Sequence, residues 1–440
     1  MDFRYINSSL LDEREIIATS KSLLPYIQHM QDVASTEAYD FDESSMNLPF
    51  DANIYEKVIQ LVDTKITDVL EYIFVIGIGG SNLGTKAIYD ALQGYFDTLT
   101  LDKKPKIIFV DTNDPHYLQT VQTFLKKFQS EPEKILLNAI TKSGTTTETI
   151  VNLETIAETL PFDTLKERLV ITTVEDTKLW NQAVENGIEV LPMPKKVGGR
   201  YSVLSTVGLF PLLAAGIDIK SLLDGAQIER GHCISEETET NPAALSAAIQ
   251  YLHYKNEKLI SNLFVFHPEL ESLGKWYRQL MGESIGKESD LDGNTIHAGI
   301  VPTVSVGSVD LHSVAQLYLG GPNTTFTTFV STKKSSLDDV TLRSNLVFPN
   351  IVDEISNKSA AEIMWAILEG VKIAYRNAKR PYAEIVFEDI SAHELGHFLQ
   401  FKMLEMMYLA KLMNVNAFDQ PNVEAYKIET KKILSGKPAK

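Results

Sequence analysis

Two turns rich in glycine and hydroxyl residues carry the first chemistry legible in this chain of 440 residues. In FVIGIGGSNLGT (74–85) an apolar run meets glycines and a serine before a helical pattern begins at KAIYDAL. Glycines let backbone N–H groups come close to an anion, the start of a helix adds partial positive charge, and Ser81 can donate a hydroxyl bond. In TKSGTTTET (141–149) six hydroxyl residues and one glycine fill nine positions ahead of a further helical segment. Each turn taken alone is also what an ordinary connection or helix cap looks like. As a pair they point to one shared site for an anion the size of phosphate, because the ends of parallel strands converge on one edge of a sheet. Neither turn matches GxxxxGK[ST]. The first departs from the dinucleotide fingerprint at Asn82, where the third glycine belongs, and Asp111 follows more than thirty positions on, where about 20 is the rule.

SAHELGH (391–397) invites a different chemistry. His-Glu-x-x-His on a helix places His393 and His397 one turn apart, an arrangement that holds zinc with the glutamate as general base. The extended form of that motif requires Gly at 400 and His at 403, and the chain has Gln400 and Met403; by count only a distant carboxylate such as Glu424 is left. Ser391 followed by Glu394 is also the S-x-x-E capping box, and HFLQFKMLEMMYLAKLM after it has the period of a helix buried on one side. The stretch reads as a helix start, with a zinc peptidase as the remote alternative.

Four further places hold residues able to act on a bound anion. Arg200 follows paired glycines in KKVGGRYSVLSTVGLFPLLAAG (195–216) and is placed to stabilise an oxyanion. Glu283 lies at the end of a predicted helix in WYRQLMGESIGKES (276–289), where a carboxylate is able to act as a general base. His312 in VDLHSVAQL (309–317) starts a helical stretch, and FDQPNVEAYK (418–427) is a turn leading into the last helix. Arginines, glutamates and lone histidines are more often surface or structural groups, so residue chemistry alone leaves all four undecided.

The elements that must position these residues are apolar runs of strand length alternating with segments of helical period. YIFVIGI (72–78), KIIFVDT (106–112), ILLNAIT (135–141), RLVITTV (168–174) and IEVLPM (188–193) form one set, rich in Val, Ile and Phe as buried parallel strands are. NLFVFH (262–267), GIVPTVSV (299–306), TTFTTFV (324–330) and AEIVFED (383–389) form a second. The pattern predicts an α/β protein of two doubly wound units in tandem, joined at GHCISEETETNPA (231–243), with a helical arm over the first fifty residues and a frayed SGKPAK at the end. Composition is globular, 44% apolar and 22% charged, and no apolar run reaches bilayer length. The N-terminal residues lack the basic-then-apolar pattern of a secretory signal. One cysteine, Cys233, rules out an internal disulfide framework and fits a reducing cytoplasm. A balance of 41 basic against 58 acidic residues, net −17, opposes general binding to nucleic acid or anionic membrane.

GIGGSNLG, TKSGTTTET, VGGRYSVLSTVGLFPL, GESIGK, DLHS and FDQPNVEAYK occur here in an order and spacing that resembles the glucose-6-phosphate isomerase family in its shorter bacterial form, over residues 74 to 427. The resemblance implies two sugar-isomerase-type (SIS) α/β/α sandwiches: an arm over 1–54 packed on the second unit, a first unit over 55–230 with the phosphate loops, and a second over 231–440. It implies an active site between the units, completed across a homodimer. In that reading Gly80, Ser81 and Asn82 with Thr141, Lys142, Ser143, Gly144, Thr145 and Thr146 hold the phosphate. Glu283 is the base that moves a proton between C1 and C2 through a cis-enediol, and Arg200 beside Gly199 stabilises the enediolate. His312, from the partner subunit, and Lys427 open and close the sugar ring, and Gln279 and Gln420 bind hydroxyls. The resemblance implies no metal and no organic cofactor. The competing reading within this fold is a sugar-phosphate-binding protein without turnover, which usually lacks the Glu283, His312 and Lys427 set.

Two positions depart from the family pattern. Thr141 replaces Ser and keeps the hydroxyl. Asn422 replaces Gly, and if that backbone has φ > 0 Asn is among the few residues that tolerate it. The N-terminal arm carries no resemblance.

Overall fold

The computed structural model describes residues 1–36, 38–333 and 340–436. The first sheet is wholly parallel and consists of β2 (Tyr72–Ile76), β3 (Lys106–Val110), β4 (Ile135–Ile140), β5 (Leu169–Thr173) and β6 (Glu189–Pro192), in spatial order β3-β2-β4-β5-β6. The second contains β1 (Asp2–Arg4), β7 (Ile260–Val265), β10 (Val301–Val306), β11 (Thr325–Thr332) and β12 (Tyr382–Phe387), in order β1-β12-β11-β7-β10. All its pairs are parallel except β1 with β12. A hairpin of β8 (Lys287–Ser289) and β9 (Thr295–Ala298) stands apart from both. All nine sequence-predicted strands are present. The arm is not helical from its start: after Asp2–Arg4 joins the second sheet as an antiparallel edge, its helices run over Glu13–Lys21 and Leu24–Ala34.

Alternation along the strands explains why they read as unbroken apolar runs. In the first sheet Ile73, Val75, Leu136 and Val170 face a large core, while Phe74, Ile76, Leu137 and Ile171 face a second one. In the second sheet Leu263, Val265, Ile385 and Phe387 face that same large core, and Phe264, Phe266 and Phe329 face outward into another cluster. Both faces of each sheet are therefore covered, as parallel sheets require. The large core is continuous between the two sheets and holds most of the helix Ala392–Leu412. Residues 231–243 close one helix, Ile219–Cys233, and open the next, Pro242–Lys255. Among the described residues no helix is long and apolar enough to cross a membrane. The expectation of a frayed SGKPAK falls mostly on residues 437–440, outside the described residues.

Candidate active site

Each sheet has a point where strand order reverses, and ligands in such sheets bind outside the strand ends at that point. In the first sheet it lies between β2 and β4, the strands that lead into the two anion-type turns. In the second it lies between β7 and β11, but the helix Glu271–Ile285 that follows β7 through Pro268–Leu270 runs back beside β10, Gly274 against Val304 and Gly282 against Pro302, so its last turn lies by the strand starts. That helix carries Gln279 and Glu283 one turn apart. The turns Gly79–Ser81 and Gly199–Tyr201 meet so closely that a Cβ on Gly80 would collide with the backbone of Gly199, and only glycine permits this approach. A side chain at Gly79 would press on Gln279 Nε2, so the helix end sits directly over the first turn.

Arg200 is the centre of this junction. Its side chain is 1% exposed, and it donates from Nη1 to Glu283 Oε2 at 3.2 Å and to Gln420 Oε1 at 2.6 Å. Nη2 donates to the carbonyls of Ala417 at 2.6 Å and Asp419 at 3.3 Å, and Nε donates to Ser284 Oγ at 2.9 Å. A guanidinium has five N–H donors in a rigid fork, and every nitrogen of this one is engaged. Glu283, 32% exposed, also accepts from Gln279 Nε2 at 3.1 Å. One carboxylate, a third of its side chain exposed, is thus held between a buried cation and an amide.

The second turn builds its own cradle. The Thr141 hydroxyl lies 2.9 Å from that of Thr146, and Ser143 Oγ accepts from the backbone N–H and the hydroxyl of Thr145, each at 3.2 Å. Burial lowers the pKa of Lys142, and the charge of Arg200 acts in the same direction, so the amine of this turn feels the guanidinium at the junction. Gly144 takes a left-handed φ of +64°. Asn82 turns its amide away, donating to Asp111 Oδ2 at 2.9 Å. The C-terminal helix Val423–Leu434 closes over the turn, and Ser143, Thr145, Thr146, Glu424 and Lys427 line one cleft of about 170 Å³. There Lys427 pairs with Glu424 at 2.7 Å and is 39% exposed.

The sequence-predicted residues thus fall into two adjoining groups, around Arg200 and around Thr141 to Thr146. His312 belongs to neither. It is exposed, following the turn Val309–Leu311 at the end of the edge strand β10. Asn422 has φ −67° and ψ −24°, ordinary right-handed geometry that any residue adopts, so its tolerance of positive φ is not called upon. Its side chain donates to Glu288 Oε2 at 2.8 Å.

SAHELGH starts a helix, as read, with two differences. Ser391 Oγ accepts from the Glu394 N–H at 3.4 Å, but the Glu394 carboxylate accepts from the Glu388 N–H at 3.0 Å and the Met1 amino group at 3.1 Å, so only half of the capping box forms. The helix is buried on all sides, not one: Ala392 and every residue from 394 to 410 are buried. His393, Glu394 and His397 do present ligand atoms within 4.8 Å of one another. Glu394 is already engaged, however, and His397 Nδ1 lies 2.8 Å from the buried Glu229. A hydrolytic zinc needs an open coordination position in a cleft, and this helix lies inside the core.

Three neighbours of the site escaped the sequence reading. Ser284 takes the Arg200 Nε bond, and its Oγ lies 2.9 Å from the hydroxyl of the buried Tyr201. Lys287, one turn beyond Glu283, donates to the Glu283 carbonyl at 2.8 Å. Their signal was their place inside GESIGK and GGRY, next to residues already singled out.

Against this geometry the comparisons with known proteins agree. The family profile of phosphoglucose isomerase matches residues 60–439. A glucose-6-phosphate isomerase of Methanocaldococcus jannaschii is 34% identical over 358 residues, 81% of this chain and 82% of the relative. A hypothetical protein of Thermus thermophilus shares the fold with a TM-score of 0.86 at 27% identity, over 98% of this chain and 100% of that one. A glucose-6-phosphate isomerase of Chlamydia trachomatis superposes with a TM-score of 0.80 at 21% identity, over 98% and 88%.

Proposed function

The chain belongs to the phosphoglucose isomerase family and catalyses the reversible isomerisation of glucose 6-phosphate and fructose 6-phosphate; from this premise we propose how its residues divide the work. The observation that carries the assignment is the contact of Arg200 with Glu283 and Gln420, at 3.2 and 2.6 Å, beside the glycine turn that follows β2 at the switch point of the first sheet.

Glu283 takes the proton from C2 of the open-chain aldose, the electron pair forms the C1–C2 double bond of an enediolate, and the same carboxyl returns the proton to C1. The hydroxyl proton passes from O2 to O1, so atoms and electrons balance within one substrate and no hydride or electron carrier is consumed. The buried charge of Arg200 lies where the enediolate oxygens develop theirs, a preorganised interaction that is strongest in the transition state. Its bonds to fixed carbonyls hold it there without reorganisation. Gln279 and Gln420 bind sugar hydroxyls. Ser81 and residues 141–146, with Lys142 as the cation and the backbone of Gly80, Asn82 and Gly144, hold the phosphate. Lys427, at the rim of that cleft, and His312 transfer the protons that open and close the ring.

Gly282 lies beside Pro302 at the start of β10 while His312 follows the other end of that strand, and this placement supports a homodimer in which each site receives the partner's His312. We divide the chain into an arm over 1–54 and units over 55–230 and 231–440, with the site at their junction. One buried free thiol is in keeping with a reducing compartment, and we place the enzyme in the cytoplasm.

Incubation of the purified protein with fructose 6-phosphate, with and without EDTA, tests the reading when glucose 6-phosphate is followed through a coupled dehydrogenase. Equal turnover in both is expected. Binding without turnover would favour the sugar-phosphate-binding alternative, and turnover abolished by EDTA would return attention to His393 and His397.

A further inference from the structure

Residues 414–422 form neither helix nor strand, yet they must present Gln420 to Arg200 and launch the helix that carries Lys427. What holds them is the hairpin of β8 and β9. The Leu291 N–H donates to the Asn414 carbonyl at 2.9 Å, Asn414 donates to Asp292 at 2.8 Å, and Asn422 donates to Glu288 at 2.8 Å. The side chains in the last two contacts are exposed. Lys287, the first residue of β8, is different. Its side chain is 5% exposed, and its three N–H donors meet three acceptors: the Glu283 carbonyl at 2.8 Å, the Asp419 carbonyl, and Asp419 Oδ1 at 3.0 Å.

We propose that Lys287 is a positioning residue for the isomerisation, a buried cation that clamps the backbone of the proposed base, Glu283, to the segment bearing Gln420. The inference rests on the isomerase reading above. Glu283 is in the last turn of its helix, where carbonyls lack intrahelical partners and a cation is favourable. Arg200 grips the same two pieces from the other side, through the Glu283 carboxylate, the Asp419 carbonyl and Gln420. Two cations thus fix one base relative to one hydroxyl-binding amide. Burial pulls the Lys287 pKa down, and the Asp419 carboxylate opposes that effect. The phosphate turns take no part in it.

The test compares wild type, Lys287→Met and Lys287→Arg as full chains on fructose 6-phosphate, with thermal melts and circular dichroism to establish folding. Affinity for a sugar-phosphate hydroxamate, whose charged oxygens imitate an enediolate, is measured alongside. In folded Lys287→Met, kcat is expected to fall about 100-fold, the effect of a displacement near 1 Å at a reacting group. KM should stay within about threefold because the phosphate turns are untouched, hydroxamate affinity should fall in parallel with kcat, and Lys287→Arg should recover at least about tenfold of the loss. Unchanged kcat in the folded methionine variant, or a rise confined to KM, overturns the inference. If that variant does not fold, Asp419→Asn at a half-exposed position is read on the same assays. Reduced kcat at constant KM supports the clamp, and unchanged kcat overturns it. Wild-type protein without turnover would overturn the isomerase reading itself, which separates the two failures.

Discussion

Glu283 accepts from a buried guanidinium and from a primary amide while a third of its side chain stays open, an environment that fixes its direction and leaves room for a substrate carbon. Glu283→Gln preserves shape and an oxygen for Arg200 but removes the base. We expect kcat to fall by at least about 10³-fold, within the range for loss of a general base, with fructose 6-phosphate affinity by calorimetry within a few-fold of wild type. Turnover near the wild-type rate would remove Glu283 from its role. The sequence made this residue nameable but not decidable: a glutamate at a helix end is common, and only the ordered set of motifs distinguished it. Ser284 and Lys287 were harder still, because what matters about them is which buried acceptor or donor they satisfy, and their partners Arg200 and Asp419 are 84 and 132 positions away.

At the scale of elements, strands such as β2 and β4 were legible because their sheet is covered on both faces, so they are runs rich in Val, Ile, Leu and Phe, and β11, with five Thr and Ser among its eight residues, was legible through β-branched Thr and its flanking Phe and Val. β1, β8 and β9 escaped because three or four residues carry no period. The helix Ala392–Leu412 is buried on all sides although it carries Lys402 and Glu405, charged residues that usually stay at the surface. Both are fully buried and pair with each other at 2.9 Å, and Glu405 also accepts from Tyr277 at 2.9 Å. The helix Pro242–Lys255 hides a similar surprise in His253, 3% exposed and stacked on Phe326 of β11 at 4.5 Å. Burial pushes its pKa down to about 4, against the opposing influence of the Ser9 backbone. The unfolded chain therefore binds a proton between pH 6.5 and 4 that the fold refuses. Stability is full above about 6.5 and falls as pH drops toward 4, by at most about 3 kcal/mol from this group. Urea unfolding at pH 7, 5.5 and 4.5 should show a shallower decline for His253→Leu than for wild type, and identical slopes would acquit His253.

At the scale of the whole molecule the question is where His312 acts. It follows β10, the edge strand of the second sheet; Val301 at the start of that strand and Val309 and Leu317 after it are 59%, 68% and 59% exposed. An open strand edge with exposed apolar residues is a surface that natural proteins cover, which suits the proposed homodimer. This level was illegible in composition or period, since apolar residues at an interface read like those of a core; only the family resemblance raised it. A twofold arrangement also makes a quantitative demand. Mix Glu283→Gln with His312→Ala, each inactive alone, under conditions that dissociate and reassociate subunits. If His312 crosses to the partner, one site of each mixed dimer unites both defects, and the other unites an intact Glu283 with an intact His312. Random pairing makes half the dimers mixed, each with one working site of two, so about a quarter of wild-type activity should return. If His312 serves its own chain, every site in every dimer carries one defect, and no activity returns at any mixing ratio.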